Sequence, residues 1–178
     1  MTRFGYAYFA MLAIGGLAFV HPMPRLIWNA TASTPTGLYA LGPIGRLHAM
    51  ELVAVRPPEP IASFLADGGF LPKGVSLLKH VMALPGQTVC RTGDAITIDG
   101  IAAGDARERD HLGRLLPEWS GCRTIHKGEV FLMNPTVPDS LDGRYFGPLP
   151  TSSIIGRAMP LLTDDDGDGR FEWRALPR

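Results

Sequence analysis

The sequence predicts a mostly β domain, a folded sheet or barrel of short strands, carried behind one apolar N-terminal segment. Two observations point to it. Gly 21 and Pro 16 are plentiful and scattered through 178 residues, which favours short strands and turns over long helices. Short runs rich in Val, Ile and Leu recur between those breaks, the pattern of a β-sandwich or barrel. Hydrophobic residues at 46% and charged ones at 19% exclude a disordered chain. Lys+Arg and Asp+Glu are both 17, so no basic footprint suggests a nucleic-acid partner.

The elements follow in order. Phe4 to Val20 carries no charge and follows Arg3, near the lower limit of about 17 residues that crosses a bilayer core. An uncleaved anchor fits best, because His21-Pro-Met-Pro-Arg25 offers no small-x-small cleavage pattern. A cleaved leader and a buried helix are the competing readings. Residues 1–21 are therefore expected to be an inner-membrane anchor. Residues 22–178 are then one β-rich domain, with Arg3 placing the N-terminus inside and the domain in the periplasm.

Beyond the anchor, Ile27 to Tyr39 reads as a tight Thr/Pro/Gly loop entering a strand. Leu52 to Val55 is a strand stopped by Pro57 and Pro58. Ile61 to Leu65 is a helical turn ending near Gly68. Val75 to Leu84 is a strand closed by Pro85 and Gly86. Ala95 to Ile98, followed by Asp99-Gly100, is a hairpin, since Asp-Gly accepts the positive φ angles of a type I′ turn. Arg107 to Trp119 is polar and reads as a surface excursion. Glu129 to Met133 and Ser153 to Pro160 are further strands. Cys90 and Cys122, the only cysteines, suit a disulfide in an exported chain. It would close a loop of about 30 residues worth roughly 3–4 kcal/mol in the chain-entropy model. Two unrelated buried thiols are the other reading.

Three stretches offer the parts of a hydrolase: a nucleophile, a base and donors for an oxyanion. In Asn29-Ala-Thr31-Ala-Ser33-Thr-Pro35, Ser33 lies between small residues that let a substrate backbone approach. Thr31 can turn its hydroxyl toward the same pocket. Taken alone, such a loop is an ordinary linker. In Leu77-Leu-Lys79-His80-Val-Met-Ala-Leu84-Pro-Gly86, burial would favour the neutral amine of Lys79, which could then deprotonate a serine. The alternative is a lysine on a solvent face. His80 points to the opposite face of a strand, apart from any role of Lys79. In Ser140-Leu-Asp142-Gly-Arg144-Tyr-Phe-Gly147, an extended chain would place Ser140, Asp142 and Arg144 on one face. Ser140 could then accept from Lys79 while Asp142 pairs with Arg144.

In this order behind an apolar segment, the three stretches resemble the boxes of the bacterial signal peptidase I family. The lysine box K-x-x-x-x-L-P-G appears from Lys79 to Gly86 and the S-x-D-x-R-x-x-G box from Ser140 to Gly147. The Thr-x-Ser-x-Pro-x-Gly-Leu-Tyr form and the compact size look closer to the TraF-type conjugative-transfer peptidases. The resemblance implies a signal-peptidase-like β fold with one N-terminal transmembrane helix and a Ser-Lys dyad. Ser33 would be the nucleophile and Lys79 the base. Thr31 and the Ser33 N–H would form the oxyanion hole, with Ser140, Asp142 and Arg144 in support. The implied substrate is an exported precursor with small residues before the cut, a conjugative pilin or a preprotein, processed without a cofactor. The sequence departs from the family at Pro35, at His80 in place of arginine, and at Asn134-Pro-Thr-Val-Pro138 in place of Gly-Asp-Asn.

Asp164-Asp-Asp166-Gly-Asp168-Gly169 matches the opening of a calcium loop, but Ala175 stands where a bidentate Glu is required. The stretch is read as a solvated acidic turn, and no metal is expected.

Overall fold

A computed structural model describes residues 26–173. The expected anchor of residues 1–21 lies outside them, and among the described residues no helix is long and apolar enough to cross a membrane.

The strands are β1 (Leu26–Asn29), β2 (Thr36–Gly42), β3 (Leu52–Val55), β4 (Leu77–Ala83), β5 (Thr88–Thr92), β6 (Ala95–Ile98), β7 (Ile101–Asp105), β8 (Gly121–Thr124), β9 (Glu129–Met133), β10 (Leu149–Pro150), β11 (Ile154–Asp164) and β12 (Glu172–Trp173). Two short helices join them, α1 (Ile61–Asp67) and α2 (Gly143–Phe146). One sheet runs β1-β2-β11-β3-β4-β9-β10, with β12 also on β11, and a second runs β7-β6-β5-β8. All pairings are antiparallel. Both expectations of the fold class, folded sheet or barrel, resolve to folded sheets that stay open among the described residues.

Strand β9 joins the two halves because both of its faces are apolar. Val130 and Leu132 enter one core with Val53, Val55 and Val81. The alternate residues Phe131 and Met133 enter another with Val89, Ile96 and Trp119. Period-two alternation makes such a strand a shared wall. On β4 the register against β9 shifts between Val81 and Ala83. Val81 therefore faces the first core and Ala83, two residues on, faces the second. An inserted residue reverses the alternation, so β4 serves both cores, and Lys79 precedes that bulge.

The hairpin at Asp99-Gly100 has φ 51° and 81°, as a type I′ turn requires. Three expectations change. Strand β1 precedes the Ser33 loop, so that loop connects two paired strands. The segment from Arg107 to Trp119 is not wholly superficial, because Trp119 is buried and its Nε1–H donates to Gly143 O at 3.0 Å. The segment around Ser140 is not extended, because the Asp142 side chain caps α2 by accepting from Arg144 N. A capped turn outcompetes the strand where an Asp can satisfy the first free N–H groups.

Candidate active site

Lys79 lies mid-strand on β4, opposite Val53 of β3, in one of the most enclosed places in the sheet. It is 3% exposed. Its Nζ donates to Ser140 Oγ at 2.7 Å. Burial pulls its pKa from 10.5 down to about 8, with Arg144 pushing the same way and Asp142 opposing. A large fraction of neutral amine is thus present slightly above neutral pH, as a general base requires.

Ser33 sits in the turn between β1 and β2, which Asn29 organises from within. The buried Asn29 Nδ2 donates to Thr31 O, Thr34 O, Thr34 Oγ1 and Pro35 O at 2.9–3.1 Å. Its Oδ1 accepts from Thr31 N at 3.1 Å and from Thr31 Oγ1 at 2.8 Å. Thr31 Oγ1 and Ser33 Oγ are 3.3 Å apart. With the Thr31 proton on Asn29, Ser33 is the donor in that contact. Tyr39 Oη donates to Pro35 O at 2.7 Å and closes the turn. Pro35, the departure in the family pattern, is therefore an anchored position whose carbonyl is used twice.

The third stretch supplies the frame. Asp142 and Arg144 form a fully buried pair, Oδ1 accepting from Nε and Oδ2 from a terminal nitrogen, each at 3.0 Å. That guanidinium also donates to Val137 O at 2.7 Å and Ser140 O at 3.0 Å. The ion pair thus holds the backbone of the residue that meets Lys79. Gly143 is required beside it, since a Cβ there would lie 2.6 Å from a Phe131 ring carbon and 2.7 Å from Leu132 O.

Thr31, Ser33, Lys79 and Ser140 line one cleft of about 560 Å³ with an apolar wall that includes Leu65, Phe70, Leu77 and Leu141. The structure brings together all three stretches singled out in the sequence. In this arrangement Lys79 bonds Ser140 rather than Ser33. Two residues escaped the sequence reading, Asn29 and Asn134. Asn134 is buried directly after the apolar strand β9, and a polar residue at such a place is the signal that could have found it.

Cys90 and Cys122, opposite each other on β5 and β8, are bonded. In the acidic turn, Asp164 is buried rather than solvated. Its carboxylate accepts from the N–H groups of Gly167, Asp168 and Gly169 at 2.8–3.2 Å. No cluster of three His, Cys, Asp or Glu suited to a metal occurs among the described residues.

The chain is similar to several known proteins. The family described as signal peptidase, peptidase S26 matches residues 1–162. The chain is 35% identical to the conjugal transfer protein TraF of Agrobacterium fabrum over 77% of its own length and 82% of the relative's. It is 32% identical to a plasmid transfer protein TraF of Escherichia coli, over 76% and 81%. Among solved structures, a signal peptidase I from Enterococcus faecalis aligns with 65% of this chain and 98% of its own, at 20% identity and a TM-score of 0.41. The match over residues 1–162 covers all three stretches that meet at the cleft, and the chain belongs to the signal peptidase S26 family.

Proposed function

We propose that this protein is a membrane-anchored serine endopeptidase that matures an exported precursor, a conjugative pilin subunit, at the periplasmic face of the inner membrane. One observation carries the chemistry: a buried lysine with pKa near 8 shares a cleft with a serine flanked by small residues. Neutral Lys79 accepts the Ser33 proton, and Ser33 Oγ attacks the carbonyl of the scissile bond. The Ser33 N–H and the Thr31 hydroxyl donate to the oxyanion, for which Thr31 must turn from Asn29. Lys79 then protonates the leaving amine, and the ester is resolved by water or by an incoming amine. Ser140 orients Lys79, and Asp142 with Arg144 holds Ser140.

The conjugative role rests on the similarity to TraF proteins. The anchor rests on the uncharged segment from Phe4 to Val20. Ser33→Ala and Lys79→Ala should each abolish processing of the precursor in cells while the protein stays folded and in the membrane fraction. Full processing in Lys79→Ala would sink the mechanism. Complementation of a leader-peptidase-depleted strain would instead favour a general signal peptidase. Normal conjugation by the Ser33→Ala protein would favour a non-catalytic anchored domain.

A further inference from the structure

Asn134 makes a set of contacts that no reading of the three stretches anticipates. Its Nδ2 donates to Ser33 O at 2.6 Å and to Leu78 O at 3.1 Å. Its Oδ1 accepts from His80 N at 3.2 Å and lies 3.0 Å from His80 Nδ1. Its own N–H donates to Asp142 Oδ2 at 3.0 Å. Leu78 and His80 are the two neighbours of Lys79 in the chain. One buried side chain therefore grips the nucleophile's residue on one side and both flanks of the lysine on the other.

The geometry points to Asn134, oriented by His80, as the positioning residue that sets Ser33 relative to Lys79. The Ser33 turn is otherwise tied mainly to itself, through Asn29 and Tyr39. Asn134 ties that turn to β4, bonding Ser33 O on one side and Leu78 O and His80 N on the other. An amide fits both demands, because it presents two donors to two carbonyls and two acceptor lone pairs to His80. Oδ1 cannot donate, so His80 Nδ1 must carry hydrogen toward it. The backbone selects that side-chain orientation, since a flipped amide would aim its NH2 at the His80 N–H and its oxygen at two carbonyls. His80, assigned to the opposite face by strand alternation, thus acts on the site through Asn134. A carboxylate at 134 would face the Ser33 and Leu78 carbonyls with no proton to offer.

The inference rests on the assignment of Ser33 as nucleophile, and its test keeps the two apart. The full-length protein in detergent is treated with a penem, and acylation is followed by intact-mass spectrometry from pH 6 to 10. Asn134→Ala should lower the plateau acylation rate by about tenfold to a hundredfold, the range expected for a displaced nucleophile. The pH midpoint set by Lys79 should stay where it is in the parent protein, because Lys79 and Ser140 are untouched. A generally loosened site would move that midpoint as water reached the amine. His80→Asn, which keeps a donor near Nδ1, should retain the rate, whereas His80→Leu should lose it as Asn134→Ala does. An undiminished plateau in Asn134→Ala, or equal rates in His80→Asn and His80→Leu, overturns the clamp. If Asn134→Ala does not fold, the two His80 variants decide alone. Acylation that persists in Ser33→Ala overturns the nucleophile assignment and the clamp with it.

Discussion

The Lys79 amine is neutral-prone because water is kept from it, and that choice has a thermodynamic cost. Its folded-state pKa of about 8 lies below the 10.5 of an exposed lysine. Between those values the unfolded chain binds the extra proton, so stability rises with pH across that window. Below pH 8 the cost is complete, roughly 3–4 kcal/mol at about 1.4 kcal/mol per pH unit. Lys79→Met should therefore raise the unfolding free energy at pH 7, and the gain should shrink toward pH 10 in urea titrations. The same substitution should abolish peptidase activity. In the parent protein, kcat/KM should climb with pH through about 8, as a base that must lose its proton dictates. A flat profile between pH 6 and 9 would remove Lys79 from the base role. Ser140→Ala leaves the amine without the Ser140 hydroxyl that accepts its hydrogen bond, and the rate should fall with the fold preserved.

At the level of elements, the buried Asp142–Arg144 pair is the most sensitive structural contact. Asp142→Ala strands a guanidinium that is 1% exposed, and such a loss costs about 3–5 kcal/mol. Thermal melting should show it directly. Because Asp142 holds the Lys79 pKa up, the activity midpoint of any folded Asp142→Asn protein should move below that of the parent. Local chemistry made some elements readable in advance. The Asp99-Gly100 hairpin, β3 and β9 have turn residues or apolar runs that speak for themselves. Strand β8 does not, because Gly121 to Thr124 are all exposed and hold their place by pairing with β5. The Ser140–Arg144 box looked like a strand by alternation, yet a side-chain cap turns it into a helix start. Competition between a cap and a period-two pattern is decided by what the chain packs against.

For the whole molecule, the small sheet hangs on β5, with the Cys90–Cys122 bond linking its inner and outer strands. Neither cysteine lines the cleft. Cys90→Ser with Cys122→Ser should lower stability by roughly 2–4 kcal/mol, while kcat at low temperature stays close to that of the parent. Reductant should lower the melting temperature of the parent and leave the double variant unchanged.

By itself the sequence determined the family, the mostly β class and the three stretches that line the cleft. Those are carried by residue identity and spacing: Lys79 before Leu84-Pro85-Gly86, Ser140 before Asp142 and Arg144, Ser33 among small neighbours. Tertiary structure alone decided the couplings between them. The role of Asn134 is invisible in the chain, because a hydrogen bond from residue 134 to residue 33 has no local trace. The bulge that lets β4 face two cores and the route from His80 through Asn134 to Ser33 likewise arise only when distant strands meet. Pattern reports which face a side chain prefers, and packing decides what it finds there.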